Sequence, residues 1–228
     1  MPHGSELANY YARRASEYEQ IYHKPERRAS IDWLNARLRQ EFTGHAVMEA
    51  ACGTGFWTQT IAEVAHSVVA TDVNAAVLTL AAQKPMPPGK ATFVQDDAYS
   101  LHNIPAGEFS AGFAGFWWSH LPQSQIAPFL GAFHSKLQPG AVILFADNLY
   151  VEGGSHPITR TDADGNTYQE RVLLDGTRHE VLKNFPTEQK LAKAVEPYGS
   201  DFQFSSCDYY WCISYRLGTT ARKSKQSA

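Results

Sequence analysis

Between residues 46 and 147 the chain alternates short apolar, β-rich runs with helical stretches, and this alternation limits the fold more than any other feature. Ala46 to Ala50 is apolar and runs into Cys52-Gly53-Thr54-Gly55, after which a helix carries Ile61, Val64 and Ala65. His66 to Thr71 reads as a second strand closed by Asp72, and a helix from about Ala75 to Gln83 is stopped by the Pro85 to Gly89 cluster. Thr92 to Gln95 and Phe109 to Phe116 supply a third and fourth strand. A helix over 123–137 then leads through Pro139-Gly140 to a fifth strand, Ala141 to Ala146. Strands joined through helices run parallel, because the crossover returns each one in the same direction. The expected class is α/β, a doubly wound, mostly parallel sheet with helices on both faces.

The flanks are different. Tyr11, Tyr18 and Tyr22 are spaced seven and four apart and share one face of an expected N-terminal helix. Pro25 ends it, and a second amphipathic helix follows with Ile31, Leu34 and Leu38 on its apolar side. After Asp147 a long excursion is marked by Gly153-Gly154, Pro157 and Asp164-Gly165-Asn166. The runs 168–174 and 179–185 flank Asp175-Gly176, a hairpin turn signal, and a helix over 188–195 precedes one last strand within 202–217. No Pro-, Gly- or Ser-rich linker divides the chain, so 1–228 reads as a single domain.

A formal net charge of -3 and a pI near 6.3 argue against a general nucleic-acid surface, and a small molecule is the expected partner. No stretch is apolar enough for a membrane span or a leader peptide. Cys52, Cys207 and Cys212 make an odd set without metal-type spacing, which suits reduced thiols in the cytoplasm. The oligomeric state has no signature in the sequence.

Ligands of doubly wound sheets lie beyond the carboxyl ends of the strands. There the segment Glu49-Ala50-Ala51-Cys52-Gly53-Thr54-Gly55 lets the backbone turn sharply and approach a ligand. The helix that follows offers unpaired N–H groups. Asp72, seventeen residues after Gly55, can accept two ribose hydroxyls. A dinucleotide fingerprint would need a third glycine where this chain has Thr58. Each residue also has a plainer role: Gly53 and Gly55 suit any tight turn, and Asp72 or Asp97 suits a cap.

Taken in order, these segments resemble four motifs of the class I S-adenosylmethionine-dependent methyltransferases, over roughly residues 40 to 147. Val47 to Gly55 is similar to the first motif, Asp72 with Val73 to the ribose-binding acid, and Asp96-Asp97-Ala98 to the adenine contact. Leu137-Gln138-Pro139-Gly140 is similar to the turn before the fifth strand. The resemblance implies a Rossmann-like, seven-stranded-type sheet with S-adenosyl-L-methionine held by Glu49, Ala51, Gly53, Gly55, Asp72, Val73, Asp97, Ala98 and Phe116. Ala51 stands where glycine is frequent, and alanine fits if its φ is negative.

It further implies that 1–43 forms a helical lid, with Tyr11 and Tyr18 over the cofactor. Residues 44–149 are then the cofactor core, and 150–217 cover the substrate; 218–228 is a polar tail. The end of the fourth strand, Phe116-Trp117-Trp118-Ser119-His120, is where the acceptor pocket opens. His120 is the candidate base, because it alone in that segment titrates near neutrality. Its plainer role is a local hydrogen bond beside a Ser119 cap. Tyr22, Trp117, Trp118, Tyr150 and Arg171 are the candidate acceptor contacts, Arg171 for an acidic group. If the strand runs that far, adjacent Trp117 and Trp118 point to opposite sides. Asp147-Asn148 is similar to half of the metal site of cation-dependent O-methyltransferases, but the carboxylate after strand four is missing, so no metal is expected. The expected activity is methyl transfer to N or O of a small aromatic or planar metabolite. A lipid or quinone C-methyltransferase and a SAM-binding regulator without catalysis are the alternatives.

Overall fold

The computed structural model describes residues 18–173 and 176–218. Tyr11, with the rest of residues 1–17 of the expected lid, and the 218–228 tail beyond its first residue lie outside them. Two short 3₁₀ turns, Tyr18–His23 and Pro25–Arg27, replace the end of the expected first helix. Pro25 fits at the start of a turn but removes the N–H that a continuing helix needs. Helix α1, Arg28–Phe42, then buries Ile31, Leu34 and Leu38 as the spacing predicts.

The central elements are β1 (Ala46–Ala50), α2 (Phe56–Val64), β2 (Ser67–Asp72), α3 (Ala75–Ala82), β3 (Ala91–Gln95), β4 (Phe109–Gly115), α4 (Ile126–His134) and β5 (Leu137–Asn148). An antiparallel insertion follows, built of β6 (Ile158–Thr161), β7 (Thr167–Val172) and β8 (Arg178–Leu182). Helix α5 (Glu188–Val195) leads to β9 (Gly199–Ser206) and β10 (Tyr210–Leu217). The main sheet has seven strands in the order β3-β2-β1-β4-β5-β10-β9. Its first five strands are parallel, and β10 runs antiparallel to both neighbours.

Central strands are buried on both faces, as parallel sheets covered by helices must be. Successive residues of β1 show it: Val47 joins Leu34, Leu38, Phe42 and Ile61 on one face, while Met48 joins Phe129, Phe133 and Trp211 on the other.

Three expectations change. The single last strand is two, because the Cys207 N–H donates to the Tyr210 carbonyl and turns the chain back on itself. The expected hairpin gains a third strand, β6, which is exposed throughout and so has no buried-face pattern to betray it. Strand β4 stops at Gly115, because Phe116 has φ +60, which extended backbone cannot continue. Trp117 and Trp118 therefore do not alternate across a strand.

Candidate active site

Strand order reverses between β1 and β4, and two non-glycine residues adopt left-handed backbone at their ends: Ala51 with φ +54 and Phe116 with φ +60. Ala51 thus does not meet the condition of negative φ under which alanine fits without strain. The chain must leave β1 sharply here, since the Cys52 N–H donates to the Thr71 carbonyl of β2 and the Gly53 N–H to Asp72 Oδ2. Gly53 and Gly55 continue the left-handed turn with φ +56 and +74. A Cβ on Gly55 would lie 2.9 Å from the Ala81 Cβ, whereas one on Gly53 would meet nothing within 4 Å. Gly55 lets α2 pack against α3; Gly53 leaves open space above the loop.

Asp72 Oδ1 also accepts the Asn74 N–H at 2.9 Å, so the carboxylate holds the loop to the end of β2. Glu49 is buried below it, accepting the Thr58 hydroxyl at 2.7 Å. Burial, partly offset by Thr58 and reinforced by the Asp72 charge, pushes its carboxyl up to about 8. The adjacent acids after β3 divide their work. Asp96 is buried and accepts the backbone N–H groups of Asp97, His102 and Asn103, while Asp97 is exposed. Val73 is exposed, and Ala98 is buried. From the N-terminal side, Glu19 accepts from the Thr54 hydroxyl and pairs with Lys84, docking the first 3₁₀ turn on the glycine loop. Tyr18 opens that turn.

Beyond β4 and β5 lies a cleft of about 740 Å³, including volume open to solvent. Of the residues singled out in the sequence, it brings together Tyr22, Phe116, His120, Asn148 and Arg171. It does not bring in the others. Trp118 is buried against Phe145 and Trp211, Trp117 packs on Tyr99 and Phe129, and Tyr150 lies outside, edge-on to Phe185.

The insertion forms one wall. Its strands alternate, so Gln169, Arg171 and Val181 line the cleft while Glu170, Arg178 and Glu180 face water. Its exit is zipped to the segment after β4. His120 Nδ1 lies 2.8 Å from the Leu182 carbonyl, Lys183 Nζ donates to Ser119 Oγ at 2.6 Å, and the Asn184 N–H donates to the Ser119 carbonyl at 2.7 Å. A carbonyl only accepts, so His120 carries its proton on Nδ1 and keeps Nε2 as an acceptor. Burial first, then the Lys183 charge, hold its imidazolium form far below the ordinary range.

Lys183 also pairs with Asp147 Oδ1 at 3.0 Å, and both side chains are buried. Asp147 further accepts the N–H groups of Ser119 and Asn148, and the Lys183 ammonium lies where the sequence had suggested half a metal site. Arg27 enters from the opposite wall, 93% buried by its 7% exposure, with its guanidinium 3.9 Å from the Tyr209 ring centroid. Its Nε has no hydrogen-bond partner among the described residues. Sequence reasoning missed Arg27, Gln169, Lys183 and Asn184, and no local pattern distinguishes them from surface residues.

The sheet order and the loop at its reversal define a class I methyltransferase fold. Residues 47–140 match the family model described as "Methyltransferase domain". Malonyl-[acyl-carrier protein] O-methyltransferase of Yersinia pestis is 28% identical over 169 residues, 71% of this chain and 54% of that protein. The chain thus spans about half the length of this curated relative. The solved DhpI-SAH complex superposes with a TM-score of 0.77 at 24% identity, covering 95% of this chain and 97% of that one. A Burkholderia thailandensis 1,6-didemethyltoxoflavin-N1-methyltransferase, solved with 1,6-didemethyltoxoflavin and S-adenosylhomocysteine, gives 0.62 at 16% identity over 94% and 88% of the two chains. Domain match, fold and motif order together make this chain similar to the class I S-adenosylmethionine-dependent methyltransferases.

Proposed function

We propose that this protein transfers the methyl group of S-adenosylmethionine to an anionic oxygen of a small acceptor. The observation that carries this reading is the charge of the cleft. Among the described residues its lining contains Arg27, Arg171 and Lys183 and no Asp or Glu, in a chain whose formal net charge is -3. Burying cations is costly unless an anion meets them. Asp147 answers Lys183, and the buried Arg27, whose Nε has no hydrogen-bond partner among the described residues, sets the class of acceptor. Tyr22, Phe116 and Tyr210 add flat walls that suit a planar body behind the acidic group. A lipid or quinone acceptor would leave the buried Arg27 facing an uncharged ligand.

The loop fits the cofactor. The open space over Gly53 lets a ligand approach the backbone, and the exposed Asp97 carboxylate is available to an amine. Asp72 still has lone pairs beyond the two given to backbone N–H groups. In this reading Asp72 meets the ribose, Asp97 and Val73 the adenine, and Phe116 the methionine end. The bound cofactor supplies a methyl group already activated on sulfur. The protein must hold the acceptor oxygen in line and keep water out.

An oxyanion arrives without a proton to lose. Arg27 faces it, and His120, kept neutral by its burial, lines the same cleft and does not store a proton. O-methylation agrees with the name of the Yersinia pestis relative, while the toxoflavin enzyme is an N1-methyltransferase by name. The test is methyl transfer from labelled S-adenosylmethionine to a panel of carboxylic and phosphonic acids and their neutral amide or ester counterparts. Methylated acids with untouched neutral analogues are expected. Transfer only to amines or carbon would overturn the reading.

A further inference from the structure

Among the described residues two arginines lie over a tyrosine ring, and they differ in what else they meet. Arg160, on the outer face of the insertion, lies 3.7 Å from the Tyr168 ring centroid and also pairs with Glu180. Arg27 lies 3.9 Å from the Tyr209 ring centroid and lines the cleft, with no hydrogen-bond partner for its Nε and no ion pair among the described residues. Tyr209 is itself held in place. It stands in the turn between β9 and β10, where its carbonyl accepts the Leu149 N–H at 2.8 Å and ties the turn to the end of β5. A Cβ on Gly154 would lie 3.6 Å from Tyr209 Cε1, so the glycine leaves room for the ring. Arg27 belongs to the cleft lining and Tyr209 does not, so the ring backs the guanidinium from within the wall.

We propose that Tyr209 is a positioning residue that fixes the Arg27 guanidinium in the cleft wall for the acidic group of the acceptor. This rests on the anionic-acceptor reading above. The negative face of an aromatic ring attracts a cation, and more strongly where water is excluded. A ring brings no opposite charge, so the guanidinium is immobilised while its net charge is kept for the ligand. A planar fork fixed beforehand loses less conformational freedom when an oxyanion arrives. A carboxylate in the place of the ring would hold Arg27 as Glu180 holds Arg160, and would neutralise it.

The experiment uses the full chain loaded with S-adenosylhomocysteine and titrated with sulfate as an oxyanion probe, for wild type, Tyr209→Leu, Tyr209→Phe and Arg27→Met. Tyr209 is half-buried in a turn, so Tyr209→Leu should leave the core in place, with S-adenosylhomocysteine affinity held within about twofold. Losing the ring face should weaken sulfate binding about three- to tenfold, within the range of a partly desolvated cation–π contact. Tyr209→Phe keeps the face and should restore binding to within about twofold of wild type. Arg27→Met should weaken binding more than Tyr209→Leu does. With an acid acceptor from the methylation panel, Tyr209→Leu should raise KM in parallel while kcat changes less than about threefold, a split that general loosening would not give. In the Arg27→Met background the same change should lower kcat/KM by less than about twofold, because the cation through which Tyr209 acts is gone. Unchanged sulfate binding and KM in Tyr209→Leu, or equal losses in Tyr209→Leu and Tyr209→Phe, with wild type binding sulfate, would refute the role of Tyr209 alone. If wild type binds no sulfate and methylates no acid, the anionic-acceptor reading falls and this inference with it.

Discussion

Ala51 holds a backbone conformation that its own side chain disfavours. At φ +54 an alanine Cβ crowds the following carbonyl, at a cost of roughly 1–2 kcal/mol compared with ordinary backbone. The geometry is imposed from outside: Cys52 and Gly53 must give their N–H groups to Thr71 and Asp72, which fixes where the chain turns. Replacing alanine by glycine usually destabilises by about 0.5–1 kcal/mol, because glycine loses more freedom on folding. Here the strain relieved should exceed that loss. Ala51→Gly is expected to stabilise by about 1 kcal/mol, read as a higher urea midpoint with an unchanged m value. A lower midpoint would show that the loop holds Ala51 without strain.

At the scale of elements, the exit of β8 matters most, because Leu182, Lys183 and Asn184 each bond the segment between Trp118 and Leu121. Removing the Lys183 ammonium leaves Asp147 buried without its cation, and breaking such a pair typically costs about 3–5 kcal/mol. Lys183→Met should lose stability of that order in denaturant unfolding. The double variant Lys183→Met with Asp147→Asn should recover much of the loss, since the stranded charge is gone. If the two changes simply add, the pair is not the source of the cost. The same elements mark how far the sequence could be read. The β/α alternation survived translation because each helix and strand carries its own period, and the glycine loop because its spacing is local. The turn between β9 and β10 stayed hidden, since Ser205-Ser206-Cys207-Asp208 carries neither the glycine nor the proline that marked the other turns. Lys183 and Gln169 were invisible for another reason. Their meaning comes from Ser119, Asp147 and His156, partners that only the folded insertion brings near.

Over the whole molecule, a few buried groups decide how stability follows pH. His134 packs beside Tyr198 and Tyr215, its Nε2 2.6 Å from the Tyr215 hydroxyl, and burial lowers it from 6.5 to about 4. His120 is shifted in the same direction. A histidine depressed by folding contributes stability that is complete above its unfolded value of 6.5 and is lost as pH falls toward its folded value. Glu49 acts oppositely: raised from 4.5 to about 8, it contributes most below 4.5 and loses that contribution as pH rises to about 8. Each group sets a slope of about 1.4 kcal/mol per pH unit inside its own window. Between pH 4.5 and 6.5 His134 cancels Glu49, and His120 leaves a net rise. Above 6.5 the histidines no longer titrate in the unfolded chain, and the slope of Glu49 remains. The cofactor-free protein should therefore be most stable near pH 6.5, measured by denaturant unfolding from pH 4.5 to 8.5. Glu49→Gln should flatten the alkaline side and His134→Gln should reduce the acid slope, each leaving the other limb in place. A maximum at pH 8 or above in the wild-type protein would mean that Glu49 stays ionised beneath the glycine loop.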